Sequence, residues 1–397
     1  MSDKAFEKSA NRLTKNEIAF VAELSVVSVS RMFGLFMVLP VIALWSKSLT
    51  DATPLLIGVA VGGYGVTQAL LQVPYGALSD RIGRGPVVIF GLAIFLLGSV
   101  IAASSSSIHG LIIGRLLQGA GAISATLSAW LADHTRESVR TMSMAIFGVA
   151  IGASFLLALV LGPLLANWVG VRGLFWVSAG CGLLGIVLTA HAMITQPRRV
   201  QKTARPTWQW SEVLRPDLLS LDLAIMLLHA ALTGFFVIAP FLLLARFSLP
   251  DDQHWKVYTL SLAASLIIAI PMIARDGRHR SGAFMLPSIA LLVLGFGGMT
   301  MAPGLWWFGL GCTVFFAGFS YLEASLPALI SLRADINQRG ASLGMFSSAQ
   351  FFGAFLGATA SGWIVGRYSP ESAMYCLTAL VGLWLLLGMG KSLRSAA

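Results

Sequence analysis

The chain has 397 residues, 56% of them hydrophobic and only 11% charged, with a formal net charge of +10. Soluble domains hold about a quarter charged residues; this composition excludes one, and the short polar stretches between apolar runs leave no room for a soluble catalytic domain. Cys181, Cys312 and Cys376 all fall within apolar runs, at spacings that suit neither a zinc site nor a disulfide framework.

Runs long enough to cross a hydrocarbon core about 30 Å thick recur along the whole chain. Twelve spans are expected, at 19–45, 55–78, 87–104, 108–131, 143–166, 173–195, 219–244, 256–274, 282–302, 305–331, 341–366 and 372–391. The first 17 residues are polar, and the run after them is too long for a removable signal peptide, so span 1 is expected to be retained. With the N-terminus in the cytoplasm, 20 of the 27 Lys and Arg lie on that side, 5 lie opposite and 2 lie inside spans. Such an asymmetry is the positive-inside pattern and puts both termini in the cytoplasm. The basic charge is therefore topological, not a nucleic-acid surface.

In chain order, span 1 carries Arg31 about half-way along, then Pro40, which frees the Phe36 carbonyl from its helical partner. Span 2 holds Gln68. Between spans 2 and 3 stands a charged hairpin, Gly76-Ala-Leu-Ser-Asp80-Arg81-Ile-Gly83-Arg84. Span 4 carries Arg115 with Gln118 one turn later on the same face, and Asp133 and Arg136 follow at its end. Span 5 contains Gly162-Pro163. In span 6, Gly180-Cys-Gly182-Leu-Leu-Gly185 matches a dinucleotide fingerprint by letter, but no strand precedes it, so it is set aside. Residues 196–218, with three prolines and five cations, read as a cytoplasmic linker, with a short helix near Trp208 and Trp210. Span 7 holds His229 and Pro240, span 10 Glu323 and Pro327, and span 11 Gln350. Gly58/Gly62, Gly110/Gly114, Gly148/Gly152 and Gly353/Gly357 are four-residue pairs expected to let helices approach closely.

The sequence also echoes itself. Gly34 through Leu44 aligns with Gly234 through Leu244, and Leu131 through Phe147 with Ile330 through Phe346, where Arg140/Arg339, Ser143/Ser342 and Phe147/Phe346 coincide. The offset encloses an even number of spans, so the two halves share one orientation. The expected domains are an N-terminal six-helix bundle at 1–195, the linker at 196–218 and a C-terminal six-helix bundle at 219–397. Parallel repeats of this kind place a site near the bilayer midplane between them.

A charge at bilayer centre costs roughly 2.5–3.5 kcal/mol on the lenient insertion scale, so buried charges mark pathways. Glu323 is the first candidate for a proton carrier because cavity opening would alternately desolvate and solvate its carboxyl. His229 is the rival, since imidazole titrates near neutrality. Arg31 either binds a substrate anion or neutralises Glu323. Arg115 with Gln118 either faces the cavity or fastens helices together, and Gln68 and Gln350 are expected to line the same cavity. No phosphate-loop pattern occurs, so ATP is not expected as the energy source, and no nucleophile–base pair or metal spacing appears; an enzyme is not expected, nor is a cofactor or metal.

Gly76, Leu78, Asp80, Arg81, Gly83 and Arg84 closely resemble the signature loop between the second and third helices of the major facilitator superfamily. Leu111, Arg115, Gln118, Gly119, Gly121 and Ala122 resemble its helix-4 motif, associated with coupling in proton-driven members. Gly162-Pro163 is the core of its antiporter motif, although Ala158 and Ala166-Asn167 depart from the flanking glycines. The runs Ser30 through Pro40, His254 through Tyr258 and Glu323 through Pro327 look most like the drug/proton antiporter branch and its YajR-type members. That group can bear a soluble C-terminal domain, which is not expected here because the chain ends shortly after span 12.

The resemblance implies an all-α membrane protein of twelve transmembrane helices, monomeric, in a bacterial inner membrane. It implies proton-coupled efflux of a small amphipathic compound by alternating access, multidrug antiport being the closest description. Its partners would be the substrate, protons and lipid, without nucleic acid. Gly76, Asp80, Arg81, Gly83, Arg84, Asp133 and Arg136 would form a latch, with Asp80 meeting Gly340-Ala341-Ser342 when the carrier faces outward. Proton-coupled uptake of an organic anion, suggested by Arg31 and Arg115 in one cavity, is the alternative. A third reading is a transport-inactive sensor or scaffold working through the linker.

Overall fold

A computed structural model describes residues 13–195, 210–279, 283–335 and 338–388. Thr14 starts the first helix with a capping box: its hydroxyl accepts from the Glu17 N–H while the Glu17 carboxylate accepts from Thr14 N, which satisfies two otherwise orphaned groups. Helix α1 (Lys15–Phe36) stops at Met37 and resumes as α2 (Leu39–Ser46). The expected span 1 is therefore two helices. Thr53 caps α3 (Pro54–Ile82), whose first residue is the proline that favours a helix start. Gly83, at φ 104° and ψ 152°, ends α3 and begins α4 (Arg84–Ser104). Only glycine enters that region without strain.

Span 4 also divides, into α5 (Ile108–Ala120) and α6 (Ser124–His134). Spans 5 and 6, expected with a loop at 167–172, run together as α7 (Glu137–Thr195), turned only at Gly170, φ 69° and ψ 171°. The short helix α8 (Trp210–Val213) and the start of α9 (Pro216–Phe247) occupy the described part of the linker; the rest of it lies outside the described residues. Then follow α10 (His254–His279), α11 (Met285–Thr300), α12 (Leu305–Arg333), α13 (Arg339–Arg367) and α14 (Pro370–Leu386). Among the described residues, eight helical stretches are long and apolar enough to cross a membrane. The chain is an all-helical, multi-pass membrane protein.

Helix α13 packs against both α3 and α9, while α1 and α4 pack on α7, and α10 and α11 on α12. Glycines decide how close these pairs come. A Cβ at Gly58, Gly62 or Gly65 would strike the backbone of Ala358, Ala354 or Phe351 on α13, and one at Gly353 or Gly357 the backbone of Met226 or Ala230 on α9. Gly114 lies equally close to Gly98 and Ala102. Gly148 and Gly152 have nothing within 4 Å; this pair does not seat a helix, contrary to the expectation.

The contacts are uneven along the molecule. Pro54 meets Gly362, Gly65 meets Phe351 and the Ser348 hydroxyl donates to the Ala69 carbonyl (3.0 Å), so α3 and α13 run antiparallel in close contact over the end far from the hairpin. Lys47 lies over the Phe241 ring at that same end. Toward the hairpin end, Gly76, Gly148, Gly340 and Gly344 each face open space. Between the two regimes rings touch in sequence: Tyr64 with Phe36, Phe36 with Phe155, Phe155 with Phe319 and Phe319 with His229, at centroid separations of 5.9, 4.9, 6.0 and 6.0 Å. Helices α3 and α13 are thus closed at the far end and part toward the hairpin end, with the run of aromatic rings between.

Candidate functional site

Just on the hairpin side of this floor of aromatic rings, α9, α12 and α13 bring His229, Glu323 and Gln350 together. Gln350 Nε2 lies 2.8 Å from His229 Nε2 and 3.2 Å from Glu323 Oε1, so the two amide hydrogens serve one group each. His229 Nδ1 sits 3.3 Å from the Ile225 carbonyl; with its proton there, Nε2 is the acceptor that Gln350 needs. Glu323 Oε2 is then left 3.6 Å from His229 Nε2 without a hydrogen bond. Adding one proton changes this contact. On His229 it makes an ion pair, and on Glu323 it makes a neutral acid facing an imidazole. Glu323 keeps 25% of its side-chain exposure while His229 keeps 3%, although the Glu323 Oε2 beside His229 is itself buried.

The cationic candidates form separate clusters. Arg31 donates to Gln68 Oε1 at 2.7 Å and lies over the Phe95 ring, is 1% exposed, and its Nε has no partner. It makes no ion pair with Glu323, whose neighbours are neutral; the expected Arg31–Glu323 neutralisation is not present. Arg115 is fully buried and uses its whole fork: Nε to the Ala60 carbonyl, Nη1 to Leu35 carbonyl and Gln118 Oε1, Nη2 to the Val61 carbonyl, with Tyr64 against its face. Gln118 passes its amide on to Ser99. Arg115 and Gln118 therefore fasten α1, α3, α4 and α5 together and do not share an open cavity with Arg31.

The reason lies in the break of α1. A helix end leaves carbonyls without partners. Here Gly34 carbonyl accepts from Ser178 and Leu35 carbonyl from Arg115, and Gly162 of α7 approaches the Met37 carbonyl so closely that no Cβ fits. Pro163 remains inside α7.

At the hairpin, Asp80 pairs with Arg84 at 2.5 Å, and Arg84 also reaches Asp133 at 3.0 Å and the Ser79 hydroxyl at 2.6 Å. Arg81 is exposed, and Gly76 faces open space where α13 would have to come. Arg136 does not extend this cluster as expected. It grips Glu17 with its backbone N–H and two guanidinium nitrogens, which raises the guanidinium above its ordinary value.

Two buried acids escaped the sequence reading. Tyr321 donates to Asp276 Oδ2 at 2.8 Å, both buried; Asp276 stood just past the expected end of span 8, but α10 continues to His279. Asp222 lay inside span 7, near its start. It is 6% exposed and neither carboxylate oxygen has a partner. An acid within a span's bounds was the available signal. Apart from these groups, an apolar crevice of about 350 Å³ lined by Leu161, Leu164, Trp168 and Trp255 lies at the far end, away from the ionisable cluster.

Residues 24–358 match the family model described as Major Facilitator Superfamily. The chain is 38% identical to the inner membrane transport protein YajR of Escherichia coli (strain K12), over 94% of this chain and 83% of that protein. It is 24% identical to the multidrug resistance protein MdtH of Photorhabdus laumondii, over 84% and 83% respectively. Among solved structures, the nucleoside transporter NupG superposes with a TM-score of 0.73 at 14% identity, covering 94% of this chain and 99% of that one.

Proposed function

The chain belongs to the Major Facilitator Superfamily of membrane transporters, and from that premise we propose that it couples the movement of a small organic compound to protons. One observation carries the reading. A carboxylate and an imidazole stand 3.6 Å apart inside the helices, bridged by one amide and without a permanent cation. A group fixed only for structure would be expected to have its charge matched, because an unpaired charge in hydrocarbon is costly. Glu323 and His229 instead share a place for one proton, with the Glu323 side chain the more exposed of the two. In this reading twelve spans form two six-helix bundles, at 1–195 and 219–397, rocking about the aromatic floor with both termini in the cytoplasm.

Efflux of an amphipathic compound is the favoured direction, supported by the likeness to the multidrug resistance protein MdtH and by the aromatic lining of the floor. Uptake of an organic anion is the second reading, favoured by the free Nε of buried Arg31 and its lack of an acidic partner.

Proteoliposomes with an imposed pH gradient test both. Ethidium, chloramphenicol and fluorescein serve as cationic, neutral and anionic probes. Gradient-driven flux of at least one probe is expected, reduced at least tenfold by Glu323→Gln and by His229→Gln. Flux that survives both substitutions would remove the coupling role. Fluorescein accumulation abolished by Arg31→Ala would favour uptake instead.

A further inference from the structure

We infer that Asp222 is a second proton-holding group, a station on the hairpin side of the Glu323–His229–Gln350 cluster through which protons enter and leave it. The inference rests on the proton-coupled reading above and adds a residue and a route to it.

Position comes first. Asp222 and His229 are seven residues apart on α9, two turns and about 10.5 Å, on the same face. Helices α9 and α13 run in the same direction, since Gly353 abuts Met226 and Gly357 abuts Ala230. The same register sets the backbone of Gln350 level with residue 223, next to Asp222 in depth. Gln350 is the residue that already touches both His229 and Glu323. Asp222 therefore stands at the depth from which the cluster is reached, nearer the open end than His229.

Charge comes second. An ionised carboxylate taken out of water costs several kcal/mol unless it is paired or hydrogen-bonded. Asp222 has neither, with both oxygens unpartnered at 6% exposure. None of the helices packed on α9 brings a counter-charge into contact with Asp222. In the same half of the molecule, α12 brings Glu323 and Arg333, α13 brings Arg339, α3 brings Asp80 and Arg81, and α9 itself has Asp217 and His229. None of them makes an ion pair or hydrogen bond with Asp222, and Asp217 is held by Arg215. Neither α2 nor the adjoining half of α14 carries a charged residue. A proton is the partner that such a site accepts.

The step balances simply. Hydronium at the open end gives a proton to an Asp222 oxygen, leaving water and making the neutral acid. That acid releases it through bridging water to Glu323 Oε2, the other unpartnered carboxylate oxygen, and Asp222 is reloaded from solvent.

Dicyclohexylcarbodiimide, which adds to protonated carboxyls in apolar surroundings, tests the site without transport. On the full chain in liposomes, peptide mapping is expected to find the adduct on Asp222, several times more at about pH 6 than at about pH 9, where an ordinary Asp would be ionised throughout. The adduct should persist in Glu323→Gln. No adduct on Asp222 at either pH, with Glu323 labelled in the same sample, overturns the inference.

Transport tests the route. Asp222→Asn is expected to lower gradient-driven flux of the responding probe at least tenfold while probe-for-probe exchange continues, and Asp222→Glu is expected to restore driven flux. Driven flux equal to wild type in Asp222→Asn overturns the route. Loss of exchange as well, not recovered by Asp222→Glu, overturns it in favour of a structural role. Absence of driven flux in the wild type, with Asp222 still labelled, instead sinks the coupling reading and the route with it.

Discussion

Arg115 and Glu323 show how the same rule about buried charge ends in opposite places. Both are ionisable groups inside spans, and sequence alone marks both as costly. Arg115 meets that cost with four oxygen acceptors, three of them on neighbouring helices and one on its own, whereas Glu323 accepts one hydrogen bond and leaves an oxygen free. A fully satisfied group holds the structure, and a half-satisfied one is available for change. Arg115→Lys replaces a planar fork by a point charge with three donors, so at least one acceptor is abandoned. The substitution is expected to cost about 2 kcal/mol and to lower the unfolding temperature in detergent. An unchanged temperature would mean that Arg115 does not fasten these helices. Arg31 lies between the two cases, with one strong bond to Gln68 and a free Nε.

Among the elements, the breaks carry more information than the spans. Pro40 and Pro240 occupy equivalent places in the repeat, yet α1 breaks before Pro40 and α9 runs through Pro240. The N-terminal copy has Ser178, Arg115 and Gly162 to receive the freed backbone. In the C-terminal copy the close approach comes from Gly353 and Gly357 against the unbroken α9. Gly357→Val is therefore expected to force α9 and α13 apart and destabilise the protein by about 1–3 kcal/mol, read as reduced folded yield by gel filtration. Gly148→Ala, at a position facing open space, should leave that yield unchanged. The positions paired by the sequence echo behave alike: Ser143 and Ser342 each bond the carbonyl four residues earlier, and Phe147 and Phe346 are both buried.

For the molecule as a whole, α3 and α13 are joined by glycine contacts at the far end and part toward the hairpin, which fits one side of the alternating-access cycle proposed above. Asp80 accordingly pairs with Arg84, at 55% exposure, a contact worth about 0–1 kcal/mol. In the opposite state its carboxylate would sit at the N-terminus of α13, worth about 0.3–1 kcal/mol and up to roughly 2 when partly buried. Asp80→Asn is therefore expected to leave expression unchanged while shifting the balance toward the present state. A bias of 1–2 kcal/mol changes a population ratio about 5- to 30-fold, so transport should fall by a comparable factor. Normal transport in that variant would remove the latch.

Apolar run length marked where helices lie, since hydrocarbon admits backbone only where its hydrogen bonds close internally, but not that spans 1 and 4 divide or that spans 5 and 6 run together. The charged hairpin, the intramembrane Arg, His and Glu, and the repeat were equally legible, because each is a local departure from an apolar background. Partnership was not. That Arg115 would be saturated, that Arg31 would miss Glu323, that Arg136 would turn to Glu17 and that Asp222 would be left bare depended on which helices lie side by side and at what depth. Those distances arise from glycine approaches and from one helix break between residues far apart in the chain. Sequence named the charges, and tertiary structure decided which of them are satisfied, because satisfaction is a matter of ångströms between different helices.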